Sequence, residues 1–237
     1  MKLDILVFSS HPDDAELGCS GTIALHIKQG KKVGIIDLTR GELGTKGSAE
    51  IRKQEAESAA SILGLTIREN LGLADGFFEA DKSSIMKIVE VVRTYQPELV
   101  LANAPHDRHP DHGKGANIVS KACFLAGLLK IETSVDNIAQ TSWRPKAIFH
   151  YIQDRYLTPD FIIDISEFWD IKLAAIKAYK SQFYEPDQNV TTYISNEDFL
   201  PFIESRNREM GHAIGVRYGE GFIAERKIQV KNLFDII

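Results

Sequence analysis

A chain of 237 residues with 43% hydrophobic and 26% charged side chains is long enough for one sizeable core, which excludes disordered and fibrous classes. A formal net charge of -5 argues against nucleic-acid or anionic-membrane binding, because either would need a basic face. Two cysteines, Cys19 and Cys123, are too few for a disulfide framework and read as buried free thiols.

The predicted elements begin with a short apolar run, Ile5 to Phe8. It is too short for a signal peptide, and no later segment reaches the length of a membrane span, so a cytoplasmic location is expected. Val33 to Ile36 and Leu99 to Ala102 are similar unbroken runs, the pattern of strands buried on both faces. Between them, Ala56, Ala59, Ala60 and Leu63 recur at helical spacing and stop at Gly64. Ile85, Ile88, Val89 and Val92 repeat that spacing after a potential cap at Asp81, and Pro97 closes the segment. A further helix is predicted from about His112 through Leu129. Phe161 to Ile165 reads as a strand, Phe168 to Ala178 as a helix, Gln182 to Ser195 as a polar loop and Glu197 to Met210 as a helix. The glycine-rich stretch Gly211 to Gly221 follows. Strand-helix alternation of this kind predicts a single α/β domain over residues 1–237, a Rossmann-like, mainly parallel sheet with helices on both faces.

Two polar clusters follow predicted buried strands. Ser10-His11-Pro12-Asp13-Asp14 comes after the first strand, and Pro105 to His112, containing His106, His109 and His112, after Leu99 to Ala102. Both should emerge at the carboxyl edge of the sheet, where ligands of open α/β folds bind. Four of the seven histidines lie in these segments; His26, His150 and His212 lack such a context. Neutral imidazole nitrogen with anionic carboxylate suits zinc, and a catalytic site takes three protein ligands and leaves a fourth position open. His11, one aspartate of the Asp13-Asp14 pair and a histidine of the second cluster meet that count, leaving the other aspartate as a base. Spacing does not decide between the two aspartates. Taken alone, either cluster also reads as a turn, with Asp14 capping the next helix. The sequence has no Gly-x-Ser-x-Gly elbow and no Walker loop. Gly41 to Gly47 is a glycine-rich loop without dinucleotide-binding spacing.

His11-Pro12-Asp13-Asp14 with a downstream His109-Pro110-Asp111-His112 resembles the PIG-L/LmbE-type N-acetylglucosamine deacetylase family. Thr39 to Thr45, Arg52 to Glu55, Ala59-Ala60 and Leu63-Gly64 extend the resemblance. Gly215-Val216-Arg217-Tyr218 and Gly219-Glu220-Gly221-Phe222 look like the bacillithiol-biosynthesis branch. Two positions depart from the pattern: Ser10 stands where the family often has alanine, and Gly219 where the branch often has it. The resemblance implies that His11, Asp14 and His112 hold one Zn2+ per chain, with Fe2+ or Mn2+ as alternatives, and that Asp13 is the general base. It implies that His109, oriented by Asp111, stabilises the oxyanion or protonates the leaving amine. Glu42, Arg52, Arg108 and Tyr193 are the implied substrate contacts. The partner would be a small-molecule N-acetyl sugar conjugate, with N-acetylglucosaminyl-malate expected from the branch, and homo-oligomers are expected by family analogy. A deacetylase of another N-acetyl sugar or thiol conjugate, a metallophosphoesterase using the same clusters and a binding protein without turnover are the competing readings.

Overall fold

The computed structural model describes residues 1–183 and 190–236. In chain order, β1 (Ile5–Ser9), α1 (Asp14–Lys28), β2 (Val33–Thr39), α2 (Ala49–Leu63), β3 (Ile67–Leu73), α3 (Lys82–Tyr95), β4 (Leu99–Ala102) and α4 (Pro110–Ala126) alternate. A small hairpin, β5 (Ser134–Val135) and β6 (Ile138–Ala139), precedes β7 (Ala147–Tyr151), β8 (Phe161–Asp164), α5 (Trp169–Lys177), α6 (Phe199–Ala213) and β9 (Gly219–Ala224).

The main sheet has the order β3-β2-β1-β4-β7-β9-β8. The first five strands are parallel, while β9 runs antiparallel to both β7 and β8. The expected mainly parallel sheet with helices on both faces is therefore present. Alternation along β1 shows the two faces: Leu6 and Phe8 pack with Ile88, Val89 and Ile118 of α3 and α4, whereas Ile5 and Val7 pack with Ala15, Cys19 and Ile23 of α1. Each leucine, isoleucine, valine or phenylalanine among them contributes about 1.5–3 kcal/mol when fully buried. A third cluster, including Leu17, Ala59, Trp169, Tyr179 and Phe199, joins α2, α5 and α6 to the first turns of α1.

The helices start where local chemistry dictates. Ser48 caps α2 by accepting from Ile51 N–H at 3.2 Å, and Asp81 caps α3 by accepting from Ser84 N–H at 2.7 Å. α4 begins at Pro110, earlier than expected, because His109 serves as its N-cap. Three strands of the main sheet escape the sequence patterns. β3 is a polar edge strand, β9 carries two glycines in six residues, and β7 is only partly buried. Pro186, Asp187, Gln188 and Asn189, in the predicted polar loop, lie outside the described residues.

β1 is the branching point of the sheet. The chain leaves it toward β2 on one side, and β4 returns to its other side, in register from Ile5↔Leu99 to Val7↔Leu101. The loops following β1 and β4 therefore lie side by side at the carboxyl edge, which brings together residues about a hundred positions apart.

Candidate metal centre and active site

Ser10 ties the two loops together. Its N–H donates to Asn103 Oδ1 at 2.8 Å and its hydroxyl to Asp111 O at 2.9 Å, while its carbonyl accepts from Thr39 Oγ1 at 2.8 Å. Ser10 thus staples the site. His11 follows, with its N–H donating to Asp14 Oδ2 at 2.9 Å. Asp13, between them, has φ 113° and ψ −24°, a region costly for any residue with a Cβ.

The histidine nitrogens face carboxylates. His11 Nδ1 is 3.5 Å from Asp14 Oδ2, and His112 Nε2 is 3.1 Å from Asp14 Oδ1. The opposite edge of the His11 ring, Nε2, is 3.1 Å from Asp75 Oδ1 and 3.4 Å from Asp111 Oδ2. His112 Nδ1 meets Asp107 Oδ2 at 2.7 Å, and the other Asp107 oxygen accepts from the backbone N–H groups of Arg108 and Arg155. Asp14 also accepts from Gln153 Nε2 at 2.7 Å and Asn103 Nδ2 at 3.0 Å. Donor atoms of His11, His109 and His112 lie within 4.8 Å of one another, as do those of His11, Asp75 and Asp111. These two overlapping histidine/aspartate clusters suit a divalent metal ion. His11 and His112 are buried and each is backed by a carboxylate, Asp75 and Asp107 respectively, as metal-binding histidines require, while His109 is half-buried and its Nδ1 meets a backbone N–H.

The electrostatics reflect this crowding. Burial acts to lower the His112 pKa, but the facing Asp14 and Asp107 carboxylates outweigh it and raise the value to about 9. Burial is likewise the largest influence on Asp14, tending to raise it, yet His112 and His11 together hold it well below the carboxylate range. Asp13 behaves oppositely: burial, helped by neighbouring Asp14, raises it to about 7 despite the opposing pull of Arg52. His109 is lowered by its own burial and by the nearby His11 and His112. Its Nδ1 accepts from the Asp111 N–H at 3.3 Å, which leaves the ring proton of the neutral imidazole on Nε2.

A cavity of about 350 Å³ opens over the cluster, lined by Asp13, His109, Arg52, Arg108 and Tyr193 as well as His11, Asp14 and His112. Arg52 is buried and committed: its Nη2 donates to Asp13 Oδ2 at 2.7 Å and to Pro12 O at 3.0 Å. Gly41, at φ +64°, makes room for it, since a Cβ there would lie 1.8 Å from Arg52 Nη1. Arg108 and Tyr193 meet at the rim, with the guanidinium 4.1 Å from the ring centroid and both side chains bonded to Asp154. Two expected roles take a different form. Glu42 is exposed and outside the cavity lining; its carboxylate clips its own loop by accepting from the Arg40 and Asp75 N–H groups. The Asp111 carboxylate turns to His11 and the Gly76 N–H, so that only its backbone touches His109.

Asp75, Asn103, Asp107 and Gln153 belong to the site without having been singled out. Asp107 sits inside the histidine-rich segment and Asn103 directly after β4, so each had a signal in its position. Asp75 and Gln153 are isolated polar residues that only the tertiary fold brings in. Cys19 and Cys123 are buried free thiols, as expected. Among the described residues, no helix is long and apolar enough to cross a membrane.

The PIG-L family model, described as GlcNAc-PI de-N-acetylase, matches residues 6–123. Diacetylchitobiose deacetylase of Thermococcus kodakarensis is 29% identical over 92% of this chain and 81% of its own length. 4-Oxalmesaconate hydratase of Pseudomonas putida is 31% identical over 75% of this chain and 73% of its own. A probable N-acetyl-alpha-D-glucosaminyl L-malate deacetylase 2 of Bacillus cereus is 27% identical over 84% of this chain and 92% of its own. Among solved structures, the conserved protein TT1542 from Thermus thermophilus superposes with a TM-score of 0.86 at 35% identity, covering 98% of each chain. Fold, paired His/Asp clusters and relatives agree: this chain belongs to the PIG-L family, with the fold and metal-ligand clusters of its metal-dependent deacetylases.

Proposed function

We propose that the protein hydrolyses the N-acetyl group of an N-acetylglucosamine conjugate, with N-acetylglucosaminyl-malate as its substrate. The observation that carries this reading is Asp13, a carboxylate fixed in the cavity wall by Arg52, immediately beside the metal-capable donors. A site that only stored metal or bound sugar would have no use for an additional carboxylate held there at a backbone cost. Similarity to the probable N-acetyl-alpha-D-glucosaminyl L-malate deacetylase 2 of Bacillus cereus supports the choice of conjugate.

His11 Nδ1, Asp14 and His112 Nε2 would hold the ion, because Asp14 lies against both histidine nitrogens. Asp75 and Asp107 would orient the rings from behind. The donor set favours Zn2+, with Fe2+ and Mn2+ compatible. When bound, such an ion lowers the pKa of a water and polarises the acetyl carbonyl. Asp13 takes a proton from the attacking water. The Nε2–H of His109 donates to the carbonyl oxygen as negative charge develops there. The C–N bond then breaks as the proton taken by Asp13 passes to the leaving nitrogen, directly or by way of His109, so one water is consumed and acetate and a free 2-amino sugar leave. Arg108 and Tyr193 at the rim would contact the conjugated group, while Arg52 acts through Asp13.

A hydratase is the second reading, favoured by the Pseudomonas putida relative. Adding water to a carbon-carbon double bond releases no amine, so one pair of assays separates the two. The deacetylase reading predicts primary-amine release from N-acetylglucosaminyl-malate and no loss of absorbance from a conjugated unsaturated carboxylate. The reverse pattern would establish the hydratase.

A further inference from the structure

We propose that Lys46 is a specificity-determining residue that binds a carboxylate on the group attached to the amino sugar, giving acidic conjugates an advantage over neutral ones. This rests on the deacetylase reading above.

Lys46 lines the same cavity as the metal-capable cluster, in the loop between β2 and α2. Its Nζ is buried and makes no hydrogen bond among the described residues. An ammonium withdrawn from water without a partner is costly, and sites that keep one generally receive the counter-charge from a ligand. Among the described residues, the carboxylates of the cavity wall are already engaged. Asp13 is bonded to Arg52, Asp14 to Gln153, Asn103 and the His11 N–H, and Asp75 to His11 and the Leu43 N–H. None of them forms an ion pair with Lys46. A neutral sugar presents only hydroxyl groups there, which accept a hydrogen bond but leave the charge uncompensated.

The backbone that carries Lys46 is fixed rather than trailing into solvent. Gln182 Nε2 donates to Lys46 O at 2.8 Å. Its neighbour Ser181 is clamped to Glu55 by its N–H at 2.6 Å and its hydroxyl at 2.7 Å. Gly47, next in the chain, takes φ +74° with Ser181 Oγ only 2.7 Å from where a Cβ would lie. The loop, α2 and the segment after α5 thus lock together around the lysine. Such anchoring lowers the ordering cost of a contact made by a flexible side chain.

The test is kcat/KM for N-acetylglucosaminyl-malate and for methyl N-acetylglucosaminide, measured on the zinc-loaded wild type, Lys46→Met and Lys46→Arg. A charge-assisted hydrogen bond corresponds to about ten- to a hundredfold in affinity. The ratio of acidic to neutral kcat/KM should fall by about that factor in Lys46→Met, chiefly through KM for the acidic substrate, and Lys46→Arg should retain most of it. Thermal unfolding of each variant alongside the wild type separates this effect from misfolding. Turnover with the same ratio in wild type and Lys46→Met overturns the role of Lys46 while leaving the deacetylase standing. Wild-type protein that deacetylates neither glycoside overturns the deacetylase reading and this proposal with it.

Discussion

Asp13 pairs with the buried Arg52 guanidinium at 2.7 Å and occupies a left-handed backbone position that costs about 1–3 kcal/mol. Strain of this kind persists where the surroundings hold it, and here Pro12, Arg52 and the start of α1 do so. Asp13→Asn keeps the shape but removes the proton acceptor, so kcat should fall about 10²–10⁴-fold while zinc content by elemental analysis stays at one per chain. Asp107 gives a complementary test. It touches the proposed ligand His112 and would not touch the ion, so Asp107→Asn should weaken zinc binding about 10–100-fold in a competition titration against a chromophoric chelator. An unchanged affinity would remove Asp107 from the supporting shell. At this scale much of the site was legible, because histidine and aspartate cluster in two short segments. Asp75 and Gln153 were not, since a lone polar residue after a strand carries no local signal of what it will face.

Helix α1, which begins at Asp14, is broken at Cys19, with φ −147° and ψ 16°. The break frees backbone groups in the middle of a buried helix, and one ion pair satisfies them. Glu220 accepts from the N–H groups of Gly21 and Thr22 at 3.0 and 2.7 Å, while Lys172 Nζ donates to Leu17 O at 2.8 Å and to Glu220 at 2.7 Å. Both side chains are almost wholly buried, at 0% and 1% exposure. The Gly219-Glu220-Gly221-Phe222 motif, visible in the sequence only as a family resemblance, thus mends the helix that presents Asp14. Glu220→Gln removes the counter-charge of Lys172 and should cost about 3–5 kcal/mol in urea unfolding; a loss within 0.5 kcal/mol, roughly the range of neutral surface changes, would contradict this account. Sequence periodicity found the buried strands because their apolar runs are unbroken. It missed β3 and β9, where an edge position or glycine content erases the pattern.

For the molecule as a whole, the position of β1 between β2 and β4 decides where the chemistry sits. Alternating strands and helices implied that both clusters lie at one edge of the sheet, but strand order is a tertiary property, and their adjacency became visible only in the fold. Because the donors come from the loops after β1 and β4, a bound metal should stabilise the entire domain. At free zinc about a hundredfold above Kd the gain is about 2.7 kcal/mol, a rise in Tm of roughly 5–10 °C for a chain of this size. Scanning calorimetry with and without chelator measures it, and identical Tm values would argue against a metal site spanning both loops. Counting products from N-acetylglucosaminyl-malate treated with zinc-loaded protein decides whether the chain is a deacetylase. Acetate and primary amine should appear in equal amounts, with release collapsing in Asp13→Ala. Equal release by wild type and Asp13→Ala, or none from the zinc-loaded wild type, would contradict this expectation.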